Sequence, residues 1–316
     1  MDTHGSIGTI QRLIGFLAKH HDIASAGFDY ALLVFAGDSG ISQENISSYC
    51  PFSSWRIVQN HLEGQAFTSI MLDRIGKEEI LIDVGLYNDI CSSKLIKLKV
   101  ARGTRNFRYE TALDLLEIER AIEVGERMVA SLANKGITVI GIAEIGVANT
   151  IGAYAALAVL LNLPPLMVVG RGSDSTGDLW PRRLKIVQEV VERINVLPKE
   201  ALRVVQEVGS LEIAALIGAV LEATRRGVIV VLDGMITGLA ALIASRIDTR
   251  CKNNLLASIR TMEPGQMYVL KELDLTPIID LGINYGEGLG AAWGLFLLEI
   301  AYRFKIRQDS SHYYEN

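Results

Sequence analysis

Short apolar runs alternate with longer amphipathic stretches along most of this 316-residue chain. The apolar runs predict strands at 30–37, 79–86, 137–144, 165–170, 227–234, 255–260 and 276–283. Between them, apolar residues recur at helical spacing, most clearly over 112–133, 182–194 and 211–226. Continuous apolar strands separated by helices are typical of a sheet that is buried on both faces. The pattern therefore predicts a doubly wound, mostly parallel α/β fold with helices on both faces.

The stretch IGAYAALAVLLNLPPLMVV, which starts at Ile151, is the segment most similar to a membrane span. It is uncharged, but Pro164 and Pro165 interrupt its second half, and proline breaks a helix interior. A helix followed by a buried strand accounts for it better than a span does. We expect no membrane contact. Because the N-terminus lacks the apolar core of a signal peptide, we expect a cytoplasmic protein.

Glycine-bearing polar loops follow five of the apolar runs. They read IGVANT, RGSDSTGD, MITG, TMEPGQ and NYGEGLG. In an open parallel sheet such loops lie at the carboxyl ends of the strands, where ligands bind. We therefore expect a single site at this edge of the sheet.

The charge balance excludes one class of partner. With 31 basic and 36 acidic residues the net charge is −5, and no basic stripe that would bind nucleic acid is present. An anionic substrate must then be held by helix N-termini and a few arginines or lysines. Cys50, Cys91 and Cys251 are widely spaced, and the histidines form no paired motif, so neither a disulfide framework nor a metal site is predicted.

Two of the loops have the layout of a phosphate site. Residues 146–150 and 170–173 each follow a predicted strand, and a helix start would present free backbone N–H groups there. Neither loop matches the dinucleotide or P-loop fingerprints. Ordinary turns with a capping Asn, Thr or Ser remain the alternative for each loop.

Three acids near these loops each have more than one interpretation. Glu144 and Glu263 could accept hydrogen bonds from both hydroxyls of a ribose, or could be helix-cap acids. Glu287, between two glycines, could be a base, a ligand for a substrate hydroxyl, or a helix-start acid. Lys185 falls in a predicted helix, where its spacing favours a surface position.

Eight segments in order along the chain resemble one known family. They are FAGDSGIS (35–42), ARGTRNF (101–107), GIAEIGVANT (141–150), GRGS (170–173), VGSLEIAALIGAVL (208–221), LDGMITGLAALIA (232–244), TMEPGQ (261–266) and LDLTPIIDLGINYGEGLGAA (273–292). The family is the nicotinate-nucleotide–dimethylbenzimidazole phosphoribosyltransferases of cobamide lower-ligand synthesis, and the likeness covers almost the whole chain.

The resemblance implies transfer of the 5-phosphoribosyl group of nicotinate mononucleotide to an aromatic acceptor base, with release of nicotinate and without a cofactor or a metal. It makes Glu287 the general base. It places the phosphoribosyl group at Glu144, Gly146, Asn149, Thr150, Gly170, Arg171, Gly172, Ser173, Lys185, Thr261, Glu263 and Gly265. It places the acceptor at Ser39, Gln43, Pro51 and Tyr285.

The resemblance also implies the organisation of the chain. A large α/β domain is expected over 26–285, with a small helical domain formed by 1–25 and 286–316. Members of the family dimerise, so a dimer is expected.

This sequence departs from the family where the acceptor binds. Ser39 replaces the histidine of FAGDHG, Cys50-Pro51 replaces Pro-Gln, and Tyr285 replaces a leucine. In the phosphate loop, Asp174 replaces a glycine. These changes predict an acceptor other than dimethylbenzimidazole, such as a purine, another benzimidazole or a phenol. The chain thus resembles a divergent paralogue of the phenol- and p-cresol-activating, two-subunit members.

Two alternatives remain open. The chain could be a weakly active or non-catalytic subunit of a heterodimer, which the altered positions favour. It could also bind a nucleotide without chemistry, but the retained Glu287 weighs against that.

Overall fold

A computed structural model describes residues 8–20, 27–172 and 179–312 of the chain. The strands are β1 (Tyr30–Gly37), β2 (Glu79–Gly85), β3 (Leu95–Lys97), β4 (Val139–Ile145), β5 (Ile229–Leu232) and β6 (Leu255–Ala257). They form a six-stranded sheet in the order β3-β2-β1-β4-β5-β6, in which all neighbours are parallel. The predicted parallel α/β fold is confirmed.

Helices precede, connect and follow the strands. They are α1 (Thr9–Lys19), α2 (Ser54–Leu62), α3 (Phe67–Arg74), α4 (Leu115–Ala133), α5 (Asn149–Leu161), α6 (Pro165–Val168), α7 (Trp180–Arg193), α8 (Ala201–Val208), α9 (Leu211–Arg225), α10 (Met235–Ile247), α11 (Pro264–Leu273) and α12 (Leu289–His312). Among these helices, none combines the length and the apolar character that crossing a membrane requires.

The sheet separates two apolar cores. Successive side chains of a strand point to opposite faces, and in β1 Leu33 and Phe35 join the core formed with α4, α5, α9 and α10. Leu32 and Val34 join the other core, which includes residues of α1, α2, α3 and α12. Because both faces are covered, the central strands are apolar at nearly every position, and this made them visible in the sequence.

The C-terminal helix α12 covers one face of the sheet and packs against α1. Contact with β4 is close, since a Cβ at Gly141 would lie 2.8 Å from Leu295. The packing of α1 on α12 agrees with the contact between chain ends that the family resemblance implied. The division into a 26–285 domain and a 1–25 plus 286–316 domain stays a prediction.

Two of the predicted strands are wrong, and one strand was missed. The run at 165–170 begins with the short helix α6, because Pro165 suits the first position of a helix and cannot donate to a sheet. The run at 276–283 makes a single bridge, between Ile259 and Ile279. The missed strand, β3, has three residues and one buried side chain, Leu95, so it leaves no apolar run.

Candidate active site

The candidate site is a cleft at the carboxyl edge of the sheet. β1 pairs with β2 on one side and with β4 on the other. The chain continues from β1 to β2 in one direction along the sheet and from β4 to β5 in the opposite direction. The β1–β4 register runs from Tyr30 opposite Val139 to Ala36 opposite Ile145, which brings both strand ends to one level. The space enclosed by the cleft and its open mouth is about 950 Å³.

All five glycine-bearing loops reach this cleft. Their contributions are residues 145–150 after β4, Gly172, residues 234–237 after β5, Thr261 and Glu263 after β6, and residues 284–287 before α12. The helices α5 and α10 both begin at the cleft, so two helix N-termini point their free N–H groups toward it. The arrangement is suited to an anionic ligand.

Nine of the residues singled out in the sequence line the cleft. They are Glu144, Gly146, Asn149, Thr150, Gly172, Thr261, Glu263, Tyr285 and Glu287. Gly170 and Gly265 are buried behind it, where added side chains would meet Glu263 and Met235 respectively. Ser173, like Asp174, lies outside the described residues.

Five other singled-out residues do not line the cleft. Arg171 is exposed, and Lys185 lies on the outer side of α7, with its side chain 73% exposed and its Nζ 3.8 Å from Glu189. Ser39 is buried, whereas Gln43 and Pro51 are exposed. In their place, Ile46, Ser47, Tyr49 and Ile57 line the cleft.

A buried arginine, Arg183, brings positive charge to the cleft. It is 6% exposed and donates from Nε to the Ile46 carbonyl at 2.7 Å and from Nη1 to the Arg171 carbonyl. Residues two apart on a helix differ by about 200° in direction, so Lys185 points away. The helical period could have identified Arg183, because it shares the buried face of α7 with Ile186 and Val190.

Carboxylates surround the base of the cleft. The Asn149 side-chain amide donates to Glu144 Oε2 and to Glu212 Oε1, the latter at 2.9 Å. Glu212 is fully buried, and the sequence analysis gave it no role. A Cβ at Gly37 would lie 2.5 Å from Glu212 Oε2, and one at Gly146 would lie 2.7 Å from Oε1. These glycines at the strand ends therefore make room for a buried acid.

Burial and mutual repulsion make these acids hard to ionise. Burial, reinforced by the charge of Glu212, raises the pKa of Glu144 to about 8 although the Asn149 hydrogen bond opposes the shift. Burial also raises the pKa of Glu212 and of Asp233. In Asp233 the backbone N–H groups of Ala291 and Gly288 act against burial, at 3.0 and 3.1 Å.

We expect Glu144→Gln to change how stability depends on pH. The pKa of Glu144 lies near 8 in the folded protein, and its usual value is 4.5. The free energy of unfolding of wild type should therefore fall as pH rises from about 4.5 to about 8, because ionised Glu144 is disfavoured in the folded state. The variant has no such loss, so its free energy of unfolding at pH 9 should exceed that of wild type by about 2 kcal/mol, discounted for screening by cleft water. Urea unfolding from pH 4.5 to 9 measures this, and parallel curves for both proteins would refute it.

The turn Gly286–Glu287–Gly288 answers why an acid stands between glycines. All three residues have positive φ, at 76°, 55° and 87°. Two glycines adopt this conformation without strain, but a residue with a Cβ costs roughly 1–2 kcal/mol there. The turn is held by the Glu287 carbonyl, which accepts from Thr68 Oγ1 at 2.9 Å, and by the Gly288 N–H on Asp233. A strained non-glycine residue in a cleft is a feature of functional sites.

The Glu287 carboxylate has a buried partner that the sequence analysis did not identify. His61 Nε2 lies 3.2 Å from Glu287 Oε2, and His61 Nδ1 lies 2.9 Å from Glu79 Oε2. Burial alone would lower the pKa of His61, but the interactions with Glu287 and Glu79 outweigh it and raise the pKa to about 9. Burial and the charge of Glu287 likewise raise the pKa of Tyr285.

Glu263, which also lines the cleft, is held by two side chains. Tyr154 Oη donates to its Oε2 at 2.5 Å, and Asn284 Nδ2 donates to its Oε1 at 3.2 Å. Gln266 supports the same loop by accepting from the Thr261 N–H and hydroxyl at 2.7 and 3.0 Å. The carboxylate is thus fixed before any ligand binds.

A doubly wound α/β fold that brings two helix N-termini, a buried arginine and fixed carboxylates to one cleft is suited to binding a small anionic molecule. Comparisons with known proteins specify the class of enzyme. The family model described as Phosphoribosyltransferase matches residues 1–309. The chain belongs to this phosphoribosyltransferase family, as the sequence motifs implied.

Individual relatives are similar in sequence over most of this chain. The chain is similar to the nicotinate-nucleotide–dimethylbenzimidazole phosphoribosyltransferase of Roseiflexus castenholzii, with 33% identity over 272 residues, which are 86% of this chain and 77% of that protein. The enzyme of the same name from Clostridium acetobutylicum is 32% identical over 299 residues, 94% of this chain and 85% of the relative. The crystal structure of CobT from Thermus thermophilus superposes with a TM-score of 0.87 at 29% identity, covering 95% of this chain and 90% of that one.

Proposed function

We propose that this chain transfers the 5-phosphoribosyl group of nicotinate mononucleotide to an aromatic acceptor, releases nicotinate, and uses Glu287 as general base. The observation that carries the proposal is the Glu287 carboxylate, held in a left-handed turn and facing the same cleft as the loops suited to phosphate. The names of the relatives specify the donor nucleotide and a benzimidazole acceptor.

The cleft has the parts that this reaction needs. The donor phosphate would bind the N–H groups of residues 146–150 and the guanidinium of Arg183. Glu263 and Glu144 would accept hydrogen bonds from the ribose hydroxyls, and a Glu144 that carries a proton near neutrality could also donate one.

The reaction needs no acid catalyst to protonate the leaving group. The acceptor nitrogen or oxygen forms a bond to C1′ of the ribose while the bond from C1′ to the nicotinate ring nitrogen breaks. The electron pair of that bond neutralises the cationic ring, so nicotinate leaves unprotonated at the nitrogen. The proton of the acceptor passes to Glu287, as positioned general bases do.

We propose that the acceptor has few polar atoms and that a phenol is a candidate. Ile46, Tyr49, Ile57 and Tyr285 line the cleft and would form its acceptor side. Gln43 and Pro51 are exposed outside the cleft, so specificity would reside in this side instead. A phenol must lose its proton to attack well, which a carboxylate beside it favours.

An acceptor panel tests this finer claim. Purified chain is incubated with nicotinate mononucleotide and equal concentrations of dimethylbenzimidazole, adenine, phenol and p-cresol, and the ribotides are measured by mass spectrometry. We expect the phenolic products to exceed the benzimidazole product. A predominant dimethylbenzimidazole product would contradict a phenolic acceptor and leave the transferase proposal intact.

The oligomeric state is a separate proposal. α3 exposes Phe67 and Ile70, at 66% and 55%, and the Phe67 ring lies 6.3 Å from that of Tyr285 at the cleft. An exposed apolar patch of this kind supports a subunit interface next to the acceptor side. We propose a dimer, with a second copy or a paralogous subunit. Light scattering of the purified chain separates a monomer from either dimer.

Arg183 and Lys185 are expected to differ sharply when substituted. Arg183→Gln should weaken binding of nicotinate mononucleotide by roughly 10–100-fold, the loss expected for a charge-assisted hydrogen bond to phosphate. Lys185→Gln should leave it unchanged, because that side chain points away from the cleft. Isothermal titration of each folded variant measures the binding. Equal affinity for Arg183→Gln and wild type would exclude Arg183 from the phosphate site.

A further inference from the structure

His61 belongs to a chain of polar side chains that runs behind the cleft. Ser69 Oγ donates to Glu79 Oε1 at 2.5 Å, and the other oxygen of Glu79 lies 2.9 Å from His61 Nδ1. His61 Nε2 then lies 3.2 Å from Glu287 Oε2. The His61 side chain is 0% exposed, Glu79 is 6% exposed, and Glu287 is 17% exposed on its cleft side. This series of polar side chains thus connects the protein interior with the proposed base, Glu287.

The contacts of the ring favour one protonation state. His61 Nε2 lies within hydrogen-bond distance of Glu287, whereas Nδ1 makes a close charge contact with Glu79 that lacks hydrogen-bond geometry. The imidazolium attracts both carboxylates by its charge, whereas a neutral ring would present a lone pair to one of them. The imidazolium of His61 would therefore lie between the carboxylates of Glu79 and Glu287 and form an ion pair with each.

We propose that His61 is a positioning residue for Glu287: held as an imidazolium by Glu79, it orients the Glu287 carboxylate in the cleft. The proposal rests on the proposed function, in which Glu287 accepts the proton of the acceptor. Oε2 is occupied by His61, so the proton would go to Oε1.

The surroundings of Glu287 explain why it needs such a partner. After burial, which is the largest cause, the negative charge of Glu287 adds to the raised pKa of Glu144 on β4 and of Asp233 after β5, so either acid repels Glu287 when it is ionised. Tyr285 contributes a neutral phenol from the same turn. Glu79 on β2 and Glu287 are the charged groups that act on His61 on α2. Without the imidazolium, Glu287 would face other acids without an adjacent positive charge.

The first test does not require turnover. NMR titration of the His61 ring nitrogens in the full-length protein without substrate should show a pKa near 9, because the interactions with Glu287 and Glu79 outweigh the opposing effect of burial. Glu79→Gln and Glu287→Gln should each lower that pKa, because each removes one negative charge. A ring that titrates near its usual 6.5 in wild type, unchanged by Glu79→Gln, would overturn the proposal whether or not the chain is a transferase.

The second test separates positioning from packing. In wild type kcat should fall as pH rises through about 9, because the ring then loses its proton. In Glu79→Gln this fall of kcat at alkaline pH, the alkaline limb of the profile, should occur at a pH at least one unit lower. His61→Gln, which offers a neutral donor that does not titrate, should abolish the limb and lower kcat about tenfold with little change in KM.

The control is Glu63→Gln, the same chemical change at an exposed residue at the end of α2; its profile should match that of wild type. If His61→Gln fails to fold, Glu79→Gln decides the matter, since it leaves the ring in place. Identical alkaline limbs in wild type and Glu79→Gln would show that His61 only fills the core. Absence of any transfer by wild type would refute the proposed function, and the NMR titration would still judge the pairing.

Discussion

Glu287→Gln is expected to lower kcat by about 10²–10⁴-fold, the usual contribution of a general base. Glutamine keeps the size and the polarity of the side chain but cannot accept the acceptor's proton. Because the base acts in the transition state, the affinity for nicotinate mononucleotide should stay within about threefold of wild type. Initial rates and isothermal titration of the same preparation measure the two quantities.

The matched control is Glu119→Gln, at an exposed residue of α4 that does not line the cleft, and this variant should retain full activity. An equal loss of affinity and rate in Glu287→Gln would contradict the assignment, since it would show that the carboxylate binds the donor instead. Full activity of Glu287→Gln would exclude Glu287 as the base.

Gly125→Ala is expected to destabilise the fold by about 3 kcal/mol, near the upper end of the usual cost of overpacking. A Cβ at Gly125 in α4 would meet the Ala215 carbonyl of α9 and would lie 2.7 Å from the Ala219 nitrogen. Both obstacles are backbone atoms, which cannot rotate away. Gly218 of α9 packs in the same way against the Ile122 carbonyl of α4, so the two helices are in closest contact at their glycines.

Gly15→Ala provides the control with the opposite sign. Gly15 is an exposed residue in the middle of α1, and a Cβ there would meet nothing within 4 Å. Alanine loses less conformational freedom than glycine in a helix, so this variant should gain roughly 0.5–1 kcal/mol. Urea unfolding gives both values as shifts of the midpoint. A midpoint for Gly125→Ala at or above that of wild type would contradict the close crossing of α4 and α9.

The fold was predictable where burial dominates and was not where a local rule dominates. β1 and β4 are covered on both faces, so nearly every residue is apolar and the run is visible. The run at 165–170 is equally apolar, but the Pro164–Pro165 pair starts a short helix there. A three-residue edge strand such as β3 is too short to show any period.

The cleft was predictable, but some of its side chains were not. Glycine-bearing loops at the ends of parallel strands indicated the place, because fold topology determines where such ends meet. Lys185 was drawn from the family resemblance, whereas the buried face of α7 brings Arg183 to the cleft instead. His61 carried no signal, since it stands 226 positions from Glu287 and only the folded chain brings the two together.

The most direct test of the account is a single transfer assay. Purified chain, without any other subunit, is mixed with nicotinate mononucleotide and the acceptor panel, and nicotinate and ribotide are quantified together by mass spectrometry. We predict equimolar nicotinate and ribotide, formed only when an acceptor is present. Intact nicotinate mononucleotide with every acceptor would contradict the claim that this chain alone is a phosphoribosyltransferase with Glu287 as its base.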